Sequence, residues 1–418
     1  MAQFIIEGGQ HLKGEIEVMG MKNAATPILA ATLLTKESCL LKNVPNISDV
    51  RAVLDIIKSL GGQVENIDEH ALKISNKNID PQQLEEKAVR RIRSSVLFMG
   101  PLLARFGKVD LPEPGGCIIG NRPLDTHTYA LEQLGAKIEK KDRFYGMRAE
   151  RLKGTVIILP EFSVTATENV LMAASLAEGR TVIKLAAAEP HVQDLCNFLN
   201  KMGAKITGIG THTLTIDGVK ELHGAEHVII PDQIEAGTFA VLAAATRGEI
   251  KIKNIIPEHL EIILLKLKQI GVKFEVGPDY VQVLPSADLK AFKLQTMPYP
   301  GFPTDLQSPF GVLATQCQGT SLIQDPLFEG RMGYVNELAK MGANAIIADP
   351  HRVIITGPTP LYGQDIKSLD LRAGATLIIA GLIATGQTTI NQAEVIDRGY
   401  EKIEERLSKL GANIRRVD

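Results

Sequence analysis

A lone thiol, Cys117, stands in "PGGCIIGNRPLDTH" (114–127), between a Gly-Gly pair and Arg122. A cysteine in a glycine loop beside a fixed cation can have its pKa lowered and then act as a nucleophile or pass a proton. The alternative is a small buried hydrophobe, the usual role of a cysteine outside oxidising compartments. The polarity of the loop, set between the "FGKVDL" strand and the "YALEQLGA" helix, weighs against a core position. No Cys/His/Asn protease pattern accompanies the thiol. His127, ten residues on, reads equally well as a loop or cap histidine.

A second set of candidates is charged or polar and falls at predicted helix starts: Lys22, Asn23, Arg93, Asp305, Asp370 and Arg372, with Arg398 in the loop "IDRGYE". Helix N-termini already present free N–H groups and partial positive charge, so Lys and Arg are locally costly there. An anion resolves that cost, because such a terminus is a ready phosphate or carboxylate cradle. The competing reading pairs each cation with a carboxylate of a neighbouring repeat unit. For Asp305, in "PTDLQ", the competing reading is a helix cap.

Several functions are excluded or lose weight. Neither G-x-x-x-x-G-K-[ST] nor a strand-linked G-x-G-x-x-G occurs, which argues against ATP hydrolysis and nicotinamide chemistry. No D-x-D or H-x-x-H cluster suggests a catalytic metal. The net charge is −2, with 5% aromatic residues and no Trp, a poor match to a nucleic-acid clamp. The N-terminus lacks a basic n-region, and the least charged stretch (373–393) is broken by Gly, Thr, Gln and Asn. Neither a secretory signal nor a membrane span is expected. Cys39, Cys117, Cys196 and Cys317 are far apart and form no C-x-x-C pair, which suits a reducing cytoplasm.

The elements that must position these residues come from a repeat. "SLGGQVE", "QLGAKIE", "KMGAKIT", "QIGVKFE", "KMGANAI" and "KLGANIR" place a Gly at 61, 135, 203, 271, 342 and 411, at intervals of 74, 68, 68, 71 and 69. Each phrase predicts a helix stopped by a left-handed Gly and followed by a strand. An Ala-rich helix precedes each phrase, as in "TENVLMAASLAEGRTVIKL" (167–185), and is expected to be buried on all sides. Thr165 to Glu168, Asp232 to Glu235 and Thr304 to Gln307 read as capping boxes. Six repeats divide into two α/β domains of three, expected at 22–229 and at 1–21 with 230–418.

At this point "GMKNAATPILAATLL", "IRSSVLFMGPLLARFG", "PGGCIIGNRPLDTHTYALEQLGA", "FPTDLQ", "FEGRMGYVNELAKMGA", "DLRAGATLIIAGL" and "IDRGYEKIEERLSKLGA" are informative together. They closely resemble the enolpyruvyl transferases that act on UDP-N-acetylglucosamine at the opening of bacterial peptidoglycan synthesis. The resemblance implies two inside-out α/β barrel domains, each of three βαβαββ repeats, with the active site in the cleft between them. It implies transfer of the enolpyruvyl group of phosphoenolpyruvate to the sugar 3-hydroxyl, with release of phosphate and no cofactor. Lys22, Arg122 and Arg398 match the cations that hold phosphoenolpyruvate. Asn23, Arg93, Asp305 and Leu327 match sugar-nucleotide contacts, and Pro123, Leu124, Asp125, Thr126, Ser163, Val164 and Thr165 match the segments around them. Asp305 matches the base for the hydroxyl proton, and Arg331, Asp370 and Arg372 match the polar shell. Cys117 matches the thiol that serves as general acid or covalent partner and is the target of fosfomycin.

Departures fall in one region. Glu161 stands where a basic residue or proline is usual, Thr165 where glycine is usual and Thr126 where leucine is common. Two other readings stay open: transfer to shikimate 3-phosphate, which would need a second phosphate site, and a non-catalytic repeat clamp.

Overall fold

Six glycines punctuate the chain at φ between +94° and +102°: Gly61, Gly135, Gly203, Gly271, Gly342 and Gly411. An L side chain is strained there, so glycine ends each helix without penalty. The helices so ended are Ser48–Ser59, Asp125–Gln133, Pro190–Lys201, Glu261–Ile270, Tyr334–Lys340 and Ile403–Ser408. A strand follows every one, from Gln63–Asn66 to Asn413–Val417. The computed structural model describes residues 2–115, 119–120 and 122–418.

The preceding helix of each repeat is the buried one. These six are α1 (Lys22–Ala31), α2 (Met99–Phe106), α3 (Val164–Ala174), α4 (Gln233–Ala245), α5 (Gln307–Ala314) and α6 (Leu371–Ile383). Every residue of α4 and α5 is buried, and α6 exposes only its ends. Small Ala and Gly residues let such helices pack closely, and α5 lies against both α4 and α6.

The chain divides into two compact units. One is an inserted lobe, residues 20–115 and 122–230; the other is a discontinuous lobe, residues 2–19, 119–120 and 231–418. Each lobe carries three sheets. Five of the six sheets have four strands in one pattern: a short edge strand runs parallel to its neighbour, and the other pairs are antiparallel. The sixth, Lys108–Pro112 with Phe144–Arg148 and Lys137–Lys141, has three among the described residues. In the discontinuous lobe the first strand, Gln3–Glu7, lies between Gln387–Asn391 and Asn413–Val417.

None of the three capping boxes forms as a reciprocal pair. The cap of α3 is Ser163, whose side chain accepts from Ala166 N at 3.4 Å, not Thr165. Glu168 is buried, and burial together with the charge of Glu189 holds its carboxyl well above the usual range, so it does not cap a helix end. Thr304 caps nothing either, since Pro303 opens that turn and the Thr304 hydroxyl turns to Asp325. Asp232 does cap α4, accepting from Ile234 N and Glu235 N. Its box is not reciprocal, because Glu235 binds Arg406 and the Met19 N–H.

Candidate active site

In the inserted lobe, Lys22 and Asn23 begin α1, whose N-cap Met21 offers no side-chain acceptor. The Lys22 ammonium lies 2.6 Å from the Asp49 carboxylate, with side-chain exposures of 12% and 5%. Carboxylate pairing thus accounts for this cation, although the partner belongs to the same repeat. Arg93 opens a 3-10 turn, Arg93–Phe98, and its guanidinium donates to the backbone carbonyls of Arg122 and Pro123. Three predicted residues are brought together by that one side chain.

Leu124 caps the helix Asp125–Gln133 through backbone geometry alone, and Asp125 supplies an acid to its first turn. The next two residues reach towards the start of α3. The Thr126 hydroxyl donates to Glu161 at 2.9 Å, and His127 Nε2 meets the Thr165 hydroxyl at 2.8 Å. The positions that depart from the family pattern therefore fall in two neighbouring pairs: Thr126 with Glu161, and Thr165 with His127. Ser163 and Val164 are held beside it at the α3 N-terminus. His127 is buried, with no hydrogen-bond partner at Nδ1. Burial first, then Arg93 and Arg122, push its imidazole down to about 3, so it is neutral at any working pH. Cys117 lies outside the described residues.

In the discontinuous lobe, Asp305 sits in the turn Thr304–Leu306 before α5, and the N-cap of the turn is Pro303 and that of α5 is Leu306. The cap reading fails because its carboxylate faces two guanidinium groups. Arg331 Nη1 donates to Oδ1 at 2.7 Å, and Arg372 Nε donates to Oδ2 at 3.2 Å. Arg331 also stacks over Phe328 at 4.9 Å. Arg372 is buried, donates to the Tyr400 hydroxyl at 3.2 Å and is 5.5 Å from that ring. Burial works against its charge, while Tyr400, Asp305 and Asp232 favour it, and the net shift is upward. Asp370 is the N-cap of α6, accepting from Arg372 N at 2.8 Å and Ala373 N at 3.0 Å. It anchors the backbone of the arginine whose side chain holds Asp305.

Leu327 is 38% exposed, with its N–H bound to Asp325. Arg398 ends the turn Ala393–Arg398, and its neighbour Asp397 is held in a fork by Arg416 at 2.9 Å to each oxygen. Within this lobe the structure therefore gathers Asp305, Arg331, Arg372 and Asp370. Sequence reasoning missed Asp49, Tyr400 and Asp325. Tyr400 follows Arg398 within "IDRGYE", and Asp325 ends an alternating strand just before Pro326, which are the signals that could have marked them.

Twin three-repeat α/β lobes and an arginine-held carboxylate before a buried helix place the molecule in a class. The chain belongs to the enolpyruvyl transferase family: the profile of EPSP synthase (3-phosphoshikimate 1-carboxyvinyltransferase) matches residues 6–407. It is 48% identical over 418 residues to UDP-N-acetylglucosamine 1-carboxyvinyltransferase 1 of Carboxydothermus hydrogenoformans, covering 100% of this chain and 99% of that protein. It is 45% identical to the UDP-N-acetylglucosamine 1-carboxyvinyltransferase of Treponema denticola, with 99% of both covered. The enolpyruvyl transferase NikO from Streptomyces tendae shares the fold, with a TM-score of 0.91 at 24% identity over 100% of this chain and 99% of NikO.

Proposed function

We propose that the chain transfers the enolpyruvyl group of phosphoenolpyruvate to the 3-hydroxyl of UDP-N-acetylglucosamine by addition and elimination. The observation that carries this reading is full-length likeness to relatives that are themselves UDP-N-acetylglucosamine 1-carboxyvinyltransferases. In the addition, the sugar oxygen bonds to C2 of phosphoenolpyruvate, its proton passes to a base, and C3 gains a proton to become a methyl group. In the elimination, C3 loses a proton and the C2–O bond to phosphate breaks.

Asp305 is the proposed base. Each of its oxygens accepts an arginine bond, and an ionised carboxylate is the acceptor-only group that can take a hydroxyl proton. Two guanidinium groups also fix its orientation, which matters more to proton transfer than raw basicity. Lys22, Arg122 and Arg398 are the proposed phosphoenolpyruvate cations, and Cys117 the proton donor or covalent partner. Asn23, Arg93, Leu327 and the 123–126 and 163–165 segments take the sugar nucleotide. No helix among the described residues is long and apolar enough to cross a membrane. A cytoplasmic role in cell-wall synthesis, with fosfomycin sensitivity at Cys117, belongs to the same proposal.

Phosphate release from phosphoenolpyruvate tests the reading with two acceptors. UDP-N-acetylglucosamine should support turnover and shikimate 3-phosphate should not. Release with the shikimate acceptor alone would overturn it.

A further inference from the structure

We propose that Asp325 is a positioning residue that fixes the turn bearing Asp305 and the chain at Leu327 relative to each other. This rests on the reading above, in which both touch the sugar nucleotide. Asp325 follows the strand Gly319–Gln324 and is 0% exposed. Its Oδ1 accepts from the Thr296 hydroxyl at 2.7 Å and from the Leu327 N–H at 3.0 Å. Its Oδ2 accepts from the Thr304 hydroxyl at 2.5 Å. Its own backbone is pinned on both sides of the residue: N–H to the His351 carbonyl, and carbonyl to His351 Nδ1, each at 2.8 Å.

Among the described residues Asp325 forms no salt bridge. A carboxylate buried without a cation is costly, and three neutral donors offset that cost only partly. A fold that needed no more than stability would satisfy two threonines and one N–H with uncharged acceptors. What the charge supplies is one rigid acceptor, with stronger bonds than a neutral group makes, shared by three separate segments. Thr304 immediately precedes Asp305, and Leu327 is two residues beyond Asp325, so one oxygen governs the base and the other governs the contact. Thr296 draws on the same carboxylate but belongs to neither group. It is the internal control.

The test compares Thr304→Val with Thr296→Val in the full chain, reading phosphate release, both KM values and Tm. Each variant breaks one bond to the same oxygen pair and should lower Tm to a similar degree. Thr304→Val should lower kcat about tenfold, because a small displacement of a reacting group is expensive, while KM for phosphoenolpyruvate stays within about twofold. Thr296→Val should keep kcat within about twofold of wild type, a loss of stability without loss of alignment. Asp325→Asn should lower kcat and raise KM for UDP-N-acetylglucosamine together; the threonine pair decides the question even if that variant fails to fold. Equal kinetics for the two threonine variants would overturn the assignment. Asp305→Asn in the same assay separates the two layers. If it retains turnover, the base reading fails; if it loses turnover while the threonine variants match, only the role of Asp325 fails.

Discussion

Replacing Asp305 by Asn removes one negative charge from between Arg331 and Arg372 while keeping the shape of the side chain. The three side chains are 19%, 11% and 6% exposed, so the cluster is mostly but not wholly shielded from water. Breaking a fully buried ion pair costs about 3–5 kcal/mol, and the partial exposure with one acceptor oxygen retained brings this to about 2–3 kcal/mol. For a lobe of some 200 residues that corresponds to a Tm drop of roughly 4–12 °C. A cap would have cost a few tenths of a kcal/mol on the same change, which is the outcome the helix-start reading of the sequence favours. Turnover should fall by about 10²–10⁴ if the carboxylate takes the hydroxyl proton, with UDP-N-acetylglucosamine affinity weakened far less. Differential scanning calorimetry, isothermal titration and phosphate release measure the three quantities on one preparation. Turnover within about tenfold of wild type, in a variant that has lost the expected stability, would refute the base assignment while leaving the ion-pair geometry intact.

His127 predicts a pH effect. Its folded-state pKa of about 3 lies below the ordinary 6.5, so its neutral form contributes stability fully present above about 6.5 and lost as pH falls towards 3. At pH 5 the loss is roughly 2 kcal/mol, and His127→Gln should shrink the Tm difference between pH 7 and pH 5; an unchanged difference would show that His127 does not titrate this way. Lys22→Gln takes the ammonium away from the buried Asp49, at a cost of about 2–3 kcal/mol. It should also abolish the Tm rise that phosphoenolpyruvate gives the wild type, and a retained rise would remove Lys22 from the binding set. Burial pushes Cys39 up, and Cys196 and Cys317 up to about 12. Limited alkylation of native protein should therefore label Cys117 first, as peptide mapping can show, and early label on any of the other three would contradict it. Cys117→Asp should keep activity through its acid, whereas Cys117→Ala should lose most of it.

The repeat was legible because its signal is local. A glycine that ends a helix and a strand that alternates need only a few residues each, and all six phrases fold as the spacing predicts. Burial of the Ala-rich helices was legible for the same reason, since few charges interrupt them. Side-chain partners were not. Ser163 lies two residues before the Thr165 expected to cap α3, and both fit the local pattern, so only the backbone conformation selects between them. Asp305 looks like a cap in its own turn because its true partners, Arg331 and Arg372, are 26 and 67 residues away. Asp49, Asp325 and Tyr400 likewise acquire meaning only through contacts remote in sequence. The coupling of Thr126 to Glu161 is of that kind too, since each appears alone as an oddity in its own segment.

The placement of Gln3–Glu7 between Gln387–Asn391 and Asn413–Val417 has a consequence for biosynthesis. Both neighbours of this strand are translated long after it. At about 5–20 residues per second, the ribosome reaches them roughly 20–80 s after the strand has been made. The inserted lobe can complete its three sheets in that interval, because its own strands, Ser38–Lys42 to Glu226–Val228, are then all present. The strand Gln3–Glu7 cannot, and its Phe4 and Ile6, fully buried in the finished molecule, stay without their neighbours until those two strands have been made. Nascent chains should therefore be open to holdase chaperones at this strand.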